Sequence, residues 1–161
     1  MADWTTSMQR GLVGGAASSI ISTAALALLG RAEAGSPYGP TNAVSHWIWG
    51  DEAASHDGFS LKYTLTGYAI HHLSATFWSV LFEKLAGEKL DHKDLRVTLA
   101  ASAATSALAC FADYKLTPQR LKPGYEKRLS KKSLAGVYAA FAVGLALGAI
   151  VLRRDEAPRL V

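Results

Sequence analysis

Charged and uncharged positions along this chain fall into blocks. Lys, Arg, Asp and Glu crowd into short stretches and leave four long runs almost free of them. Residues 11–30 (GLVGGAASSIISTAALALLG) carry no charge and are bracketed by Arg10 and Arg31. Residues 61–82 (LKYTLTGYAIHHLSATFWSVLF) are uncharged beyond Lys62 unless a histidine is protonated. Residues 95–116 have a charge-free centre over 97–112, and residues 133–152 (SLAGVYAAFAVGLALGAIVL) end abruptly at Arg153 and Arg154. The runs lack period-two alternation and are rich in alanine and leucine, which predicts helices and not strands. Each approaches the roughly 20 helical residues that cross a bilayer core.

A water-facing helix opposes its apolar stripe with a charged face. The first and fourth runs have no such face, and a chain of 161 residues is too small to hide both. The expected fold class is therefore all-α: an integral membrane bundle of four transmembrane helices, spanning about 11–30, 61–82, 95–116 and 133–152. One domain covers 1–161, with a long first connection. Ala32-Glu33-Ala34 after the first run loosely resembles a secretory cleavage site, but the apolar run exceeds the 7–15 residues typical of a signal core. A retained first helix is expected.

The first connection, about 31–60, contains SPYGP and HWIWG. Its Gly and Pro residues predict turns, and residues 42–54 suit a short helix on the membrane surface. Tyr38, Trp47 and Trp49 suit the headgroup boundary. The third connection, 117–132 (TPQRLKPGYEKRLSKK), is strongly basic and broken by Pro118, Pro123 and Gly124.

Lipid tails are as apolar as leucine, so helices in a bilayer associate through close contact of small residues. The first run carries Gly11, Gly15, Ser19 and Thr23 at steps of four, and the fourth carries Gly136, Ala140, Gly144 and Gly148. These rows predict close helix contacts within the bundle, or across a homodimer or larger membrane complex.

Hydrophobic residues make up 50% of the chain and charged residues 19%, below the roughly 25% typical of soluble domains. The net charge of +4 does not point to nucleic acid, because the basic residues flank apolar runs, where they meet anionic lipid. They divide almost evenly between the two sides of a four-span layout, with Arg10, Arg153, Arg154 and Arg159 on the side of the termini. The positive-inside rule therefore assigns no orientation. The single Cys110 excludes an internal disulfide and any multi-cysteine zinc site.

Ionisable groups at membrane depth are the natural candidates for function. His71 and His72 lie at the middle of the second run. They point about 100° apart, so one rigid helix cannot aim both at one ligand. His72 shares a face with Tyr68, and Asp113 closes the third run. The bland expectation is histidines hydrogen-bonded to Ser, Thr or Tyr across the bundle, and Asp113 paired with Lys115 or Arg120. The sharper ones are proton or substrate handling, a cation at Asp113, or haem b held by His71 or His72. No other span offers a histidine or methionine as second haem ligand, although a dimer would. Glu83 and Lys84 are expected at the headgroups. His46, His56 and His92 show no metal spacing, and no metal site is expected. Glycine-rich phosphate loops, HExxH, GxSxG and repeated CxxC are all absent.

The passages TGYAIHHLSATFWSVLFEKL and DYKLTPQRLKPGYEKRLS give the chain a layout that resembles small four-helix bacterial inner-membrane proteins without assigned activity. The resemblance implies fold and location, a multi-pass protein of the bacterial inner membrane, and no functional residue. The expectation is a non-enzymatic transporter, channel-like protein or accessory subunit, with lipids as partners. The alternative is a haem- or cofactor-binding subunit of a membrane electron-transfer complex.

Overall fold

The computed structural model describes residues 1–154; Arg159 lies outside them. The described chain is all-helical, with no strand. Four long helices are α1 (Trp4–Ala34), α4 (Thr66–Leu90), α5 (Leu95–Phe111) and α6 (Lys131–Leu152), and two short ones, α2 (Gly39–Val44) and α3 (His46–Trp49), lie in the first connection.

Local chemistry sets the ends. Asp3 caps α1 by accepting the Thr6 N–H at 2.9 Å. Gly35, at φ 68°, closes the other end, where its N–H and that of Ser36 both reach the Gly30 carbonyl. This left-handed turn suits a residue without Cβ. Asp94 caps α5 through the Arg96 N–H at 2.8 Å, and the Ser130 hydroxyl caps α6. A π-helical turn, Leu61–Leu65, leads into α4, and another, Ala112–Leu116, continues α5.

Among the described residues, three helices are long and apolar enough to cross a membrane: Trp4–Ala34, Leu95–Leu116 and Lys131–Leu152. α4 has the length without the apolarity. Its two histidines, its serines and threonines, and Glu83 with Lys84 dilute its leucines and phenylalanines. α1 is also longer than the uncharged run 11–30, because its amino-terminal turns continue through polar residues.

α1 packs against α4 on one side and α6 on the other, and α6 also packs on α5. Small residues line these seams. A Cβ on Gly11 would sit 2.5 Å from Val80 Cγ2, and one on Gly15 would sit 2.6 Å from Thr76 Cα, so α4 rests on the α1 backbone. On the opposite side, a Cβ on Gly148 would lie 2.8 Å from Gly14 Cα, and one on Gly144 would run into the backbone of Ser18. Gly136 differs: it is exposed, and a Cβ there would meet only Leu29 Cδ1, at 3.5 Å.

Small and polar residues are buried along the helix seams, around an inner apolar cluster that includes Leu26, Phe82, Leu90, Phe141 and Leu145, while many large apolar side chains face outward. Buried on α1 are Ser7, Gly11, Gly14, Gly15, Ser18, Ser19 and Ser22, and α5 buries Thr98, Ser102 and Ser106. Facing outward are Leu12, Ile20, Leu28, Leu73, Phe77, Leu99, Leu108 and Val151.

Charge is concentrated at the two ends. Near the termini, Arg153 is 3% exposed and binds Glu83 in a two-pronged pair (2.6 and 3.1 Å) and Asp91 at 2.9 Å. Arg10 reaches the same Asp91 oxygen at 2.7 Å. Glu83 is thus buried and ion-paired within the bundle, because Arg153 folds back over the end of α6 to meet it.

At the other end the first and third connections interlock into a cap. The Asn42 amide donates to the carbonyls of His56 and Gly58 (2.8 and 2.9 Å), and its oxygen accepts from Thr64. Trp47 Nε1 donates to the Lys122 carbonyl at 2.8 Å. Lys127 pairs with Asp51 at 2.5 Å, and Arg128 pairs with Asp57. Gly124, at φ 94°, lets the third connection press on the Ala43 carbonyl. The segment expected as one surface helix is instead α2, α3 and a 3-10 turn. α2 is buried and rests on α4 where Gly67 meets the Thr41 carbonyl. Trp47 turns inward, and only Tyr38 and Trp49 of the three expected boundary aromatics are exposed.

Candidate functional site: a capped cavity

Beneath the cap lies a cavity of about 190 Å³ between α4, α5 and α6. α4 supplies Ile70, His71, Ser74, Ala75 and Trp78; α5 and its π-helical turn supply Ala109 and Asp113; α6 supplies Val137, Tyr138 and Phe141. The cap closes it with Val44, Trp47, Leu121, Pro123 and Tyr125, and Ser22 of α1 forms the back. Most of the wall is apolar; the polar groups are few and specific.

His71 Nε2 lies 2.8 Å from Ser22 Oγ. The one hydroxyl proton of Ser22 is engaged by the Ser18 carbonyl at 2.7 Å, so the imidazole must donate and Nε2 carries the N–H. In the neutral ring Nδ1 is then the acceptor nitrogen. The His71 ring stands edge-on to Tyr125 with centroids 6.4 Å apart.

Facing it is a directed chain of hydroxyls. Tyr125 donates to Tyr138 at 3.2 Å, and Tyr138 donates to Asp113 Oδ2 at 2.6 Å. Ser106 anchors the Tyr138 backbone carbonyl at 2.6 Å. Burial raises the Tyr125 pKa above its ordinary value, and the Asp113 charge adds to this, so Tyr125 is a neutral donor. Asp113 meets neither Lys115 nor Arg120 as the sequence suggested: both are exposed, and the Tyr138 hydroxyl holds the carboxylate.

His71 and Asp113 therefore share one cavity, while His72 and Tyr68 do not line it. His72 Nδ1 bonds Ser19 Oγ at 2.8 Å. Ser19 spends its proton on the Ala16 carbonyl (3.0 Å), so His72 is also the donor. The Tyr68 ring lies 5.8 Å from that of His72. Each central histidine thus takes one serine of α1, and those serines, three residues apart, match the divergence of the two imidazoles.

Tyr125, Tyr138, Trp47, Trp78, Ser19 and Ser22 were not singled out as site residues by sequence. Tyr138 left a signal: it is the one hydroxyl-bearing aromatic in an otherwise apolar run, and a phenol at such depth requires a partner. The serines were legible as packing residues and not as histidine acceptors. Among the described residues, no group of three or more His, Cys, Asp or Glu converges as a metal-ligand set. A haem iron would have to approach His71 through Nδ1, since Ser22 engages Nε2.

No protein-family model, curated protein or solved structure matches the chain. What the site does must be read from its own geometry.

Proposed function

We propose that the chain is a non-enzymatic integral protein of the bacterial inner membrane with four spans, and that its capped cavity is a solute site of the transporter or channel-like kind. An accessory subunit holding a bound molecule would use the same site. The observation that carries this reading is the apolar exterior: leucines, isoleucines and phenylalanines face outward along the long helices, while serines and glycines fill the seams of α1, beside a cavity furnished with His71, Asp113 and two tyrosines. Hydrocarbon stabilises such an exterior and water does not. Lipids are the partner of the outer faces; a homodimer or larger complex would show in the particle mass within native lipid.

Two measurements test this. The protein should stay with membranes through an alkaline carbonate wash; release as folded protein into plain buffer would remove the membrane reading. Titration of the purified protein in lipid nanodiscs with a small aromatic solute should change the fluorescence of Trp47 and Trp78. Ala75→Phe, which fills the cavity, should abolish that change. An unaltered response in that variant would place the solute elsewhere. A visible absorption band lost on substituting His71 would instead support the haem-binding reading.

A further inference from the structure

The cavity holds a carboxylate without a counter-charge. Asp113 Oδ2 accepts the Tyr138 hydroxyl, whereas Oδ1 accepts no hydrogen bond and no Lys, Arg or His pairs with Asp113 among the described residues. Across the cavity, His71 Nε2 is engaged by Ser22. The carboxylate of Asp113 thus borders a mostly apolar wall, where low dielectric strengthens attraction for a cation. Five aromatic side chains besides His71, namely Trp47, Trp78, Tyr125, Tyr138 and Phe141, line the same space. Aromatic faces attract organic cations, and the remaining wall of Ile70 and Val137 accommodates an apolar body.

We propose that the cavity recognises a small organic ammonium ion, with Asp113 as its counter-ion and the aromatic side chains around its apolar part. The proposal rests on the solute-site reading above and adds the charge of the ligand. A bare inorganic cation fits less well, because it needs several oxygen ligands, and among the described residues Asp113 is the one carboxylate lining the cavity, beside hydroxyls of Ser22, Thr117, Tyr125 and Tyr138 that already bond other partners. The ammonium group could belong to a free amine or to the ethanolamine headgroup of a lipid, which share this chemistry.

The test compares benzylammonium with its neutral isostere, benzyl alcohol, by tryptophan fluorescence of the full chain in phosphatidylglycerol nanodiscs, with protein-free discs subtracted. Benzylammonium should bind at least tenfold more tightly than benzyl alcohol. Asp113→Asn should erase that preference while leaving the binding of benzyl alcohol. Tyr138→Phe, which removes a hydrogen bond and keeps the carboxylate, should retain it. Weaker benzylammonium binding in discs that also contain phosphatidylethanolamine would assign the site to the headgroup; equal binding would assign it to a free amine. Equal affinity of the two probes, or a preference that survives Asp113→Asn, would overturn the ammonium proposal and leave a neutral solute site standing. If neither probe alters the fluorescence, the solute site itself falls, and this inference with it.

Discussion

Asp91 sits where three helix ends meet. It is 5% exposed and accepts from both Arg10 and Arg153. Burial alone would raise its pKa. The hydrogen bonds and charges of Arg153 and Arg10 overcome that and hold it below the ordinary 3.8. Arg153 shows the complementary balance: desolvation opposes its charge, and Glu83 and Asp91 more than compensate, so its pKa is raised. A carboxylate whose folded pKa is depressed contributes stability that is present in full above the unfolded value and is lost as pH falls through the folded one. The bundle should thus hold its stability down to about pH 4 and lose it below. Asp91→Asn would remove the carboxylate that Arg10 and Arg153 share. Breaking a buried pair in this way costs about 3–5 kcal/mol, so thermal unfolding in detergent at pH 7 should shift clearly downward. Acidification below pH 4 should then destabilise the variant less than the parent. A parent and variant with the same acid profile would mean that Asp91 does not link the three ends.

At the scale of helices, the two glycine rows share a spacing and differ in surroundings. Gly144 and Gly148 face the α1 backbone, and Gly136, on the same helix, faces outward past Leu29. Gly144→Leu or Gly148→Leu must push α6 off α1, and such overpacking costs typically 1–3 kcal/mol. Gly136→Leu should fall within about 0.5 kcal/mol of the parent, as exposed substitutions do. Thermal unfolding of the three variants in one detergent measures the contrast, and equal losses at all three positions would contradict the seam. The helices were legible because charge marks their limits: Arg10 and Arg31 bracket the uncharged part of α1, and Arg153 stops α6. Which face of α6 meets α1 was not legible, since a step of four residues recurs all along the helix and only Gly144 and Gly148 of its glycines press on the α1 backbone. The fates of Glu83 and Asp113 were hidden for a related reason. Their partners, Arg153 and Tyr138, lie 70 and 25 residues away, and local sequence proposed nearer ones.

For the whole molecule, the interlocked cap bears on how many times the chain crosses the bilayer. The first and third connections are tied by Trp47 to Lys122, Asp51 to Lys127 and Asp57 to Arg128. Contacts at hydrogen-bond distance cannot form across a hydrocarbon core about 30 Å thick, so in the membrane-inserted protein proposed above both connections lie on one side. The chain between them must then cross an even number of times. α5 is apolar enough to cross; if it does, α4 crosses with it, although its own apolarity falls short. The polar groups that weaken α4 as a span are those it turns inward: His71 to Ser22, His72 to Ser19, and Glu83 to Arg153. Hydropathy averages over all faces of a helix and cannot see that these side chains are satisfied inside. Single cysteines introduced in a Cys110→Ser background test the parity. Ser55→Cys and Arg120→Cys, both in the cap, should react with a membrane-impermeant maleimide from the same face of sealed vesicles. Lys89→Cys, at the far end of α4, should react only from the other face. If α4 lay along the surface while α5 crossed, Lys89→Cys would label with Ser55→Cys and Arg120→Cys would label from the opposite face, an arrangement the cap bonds forbid.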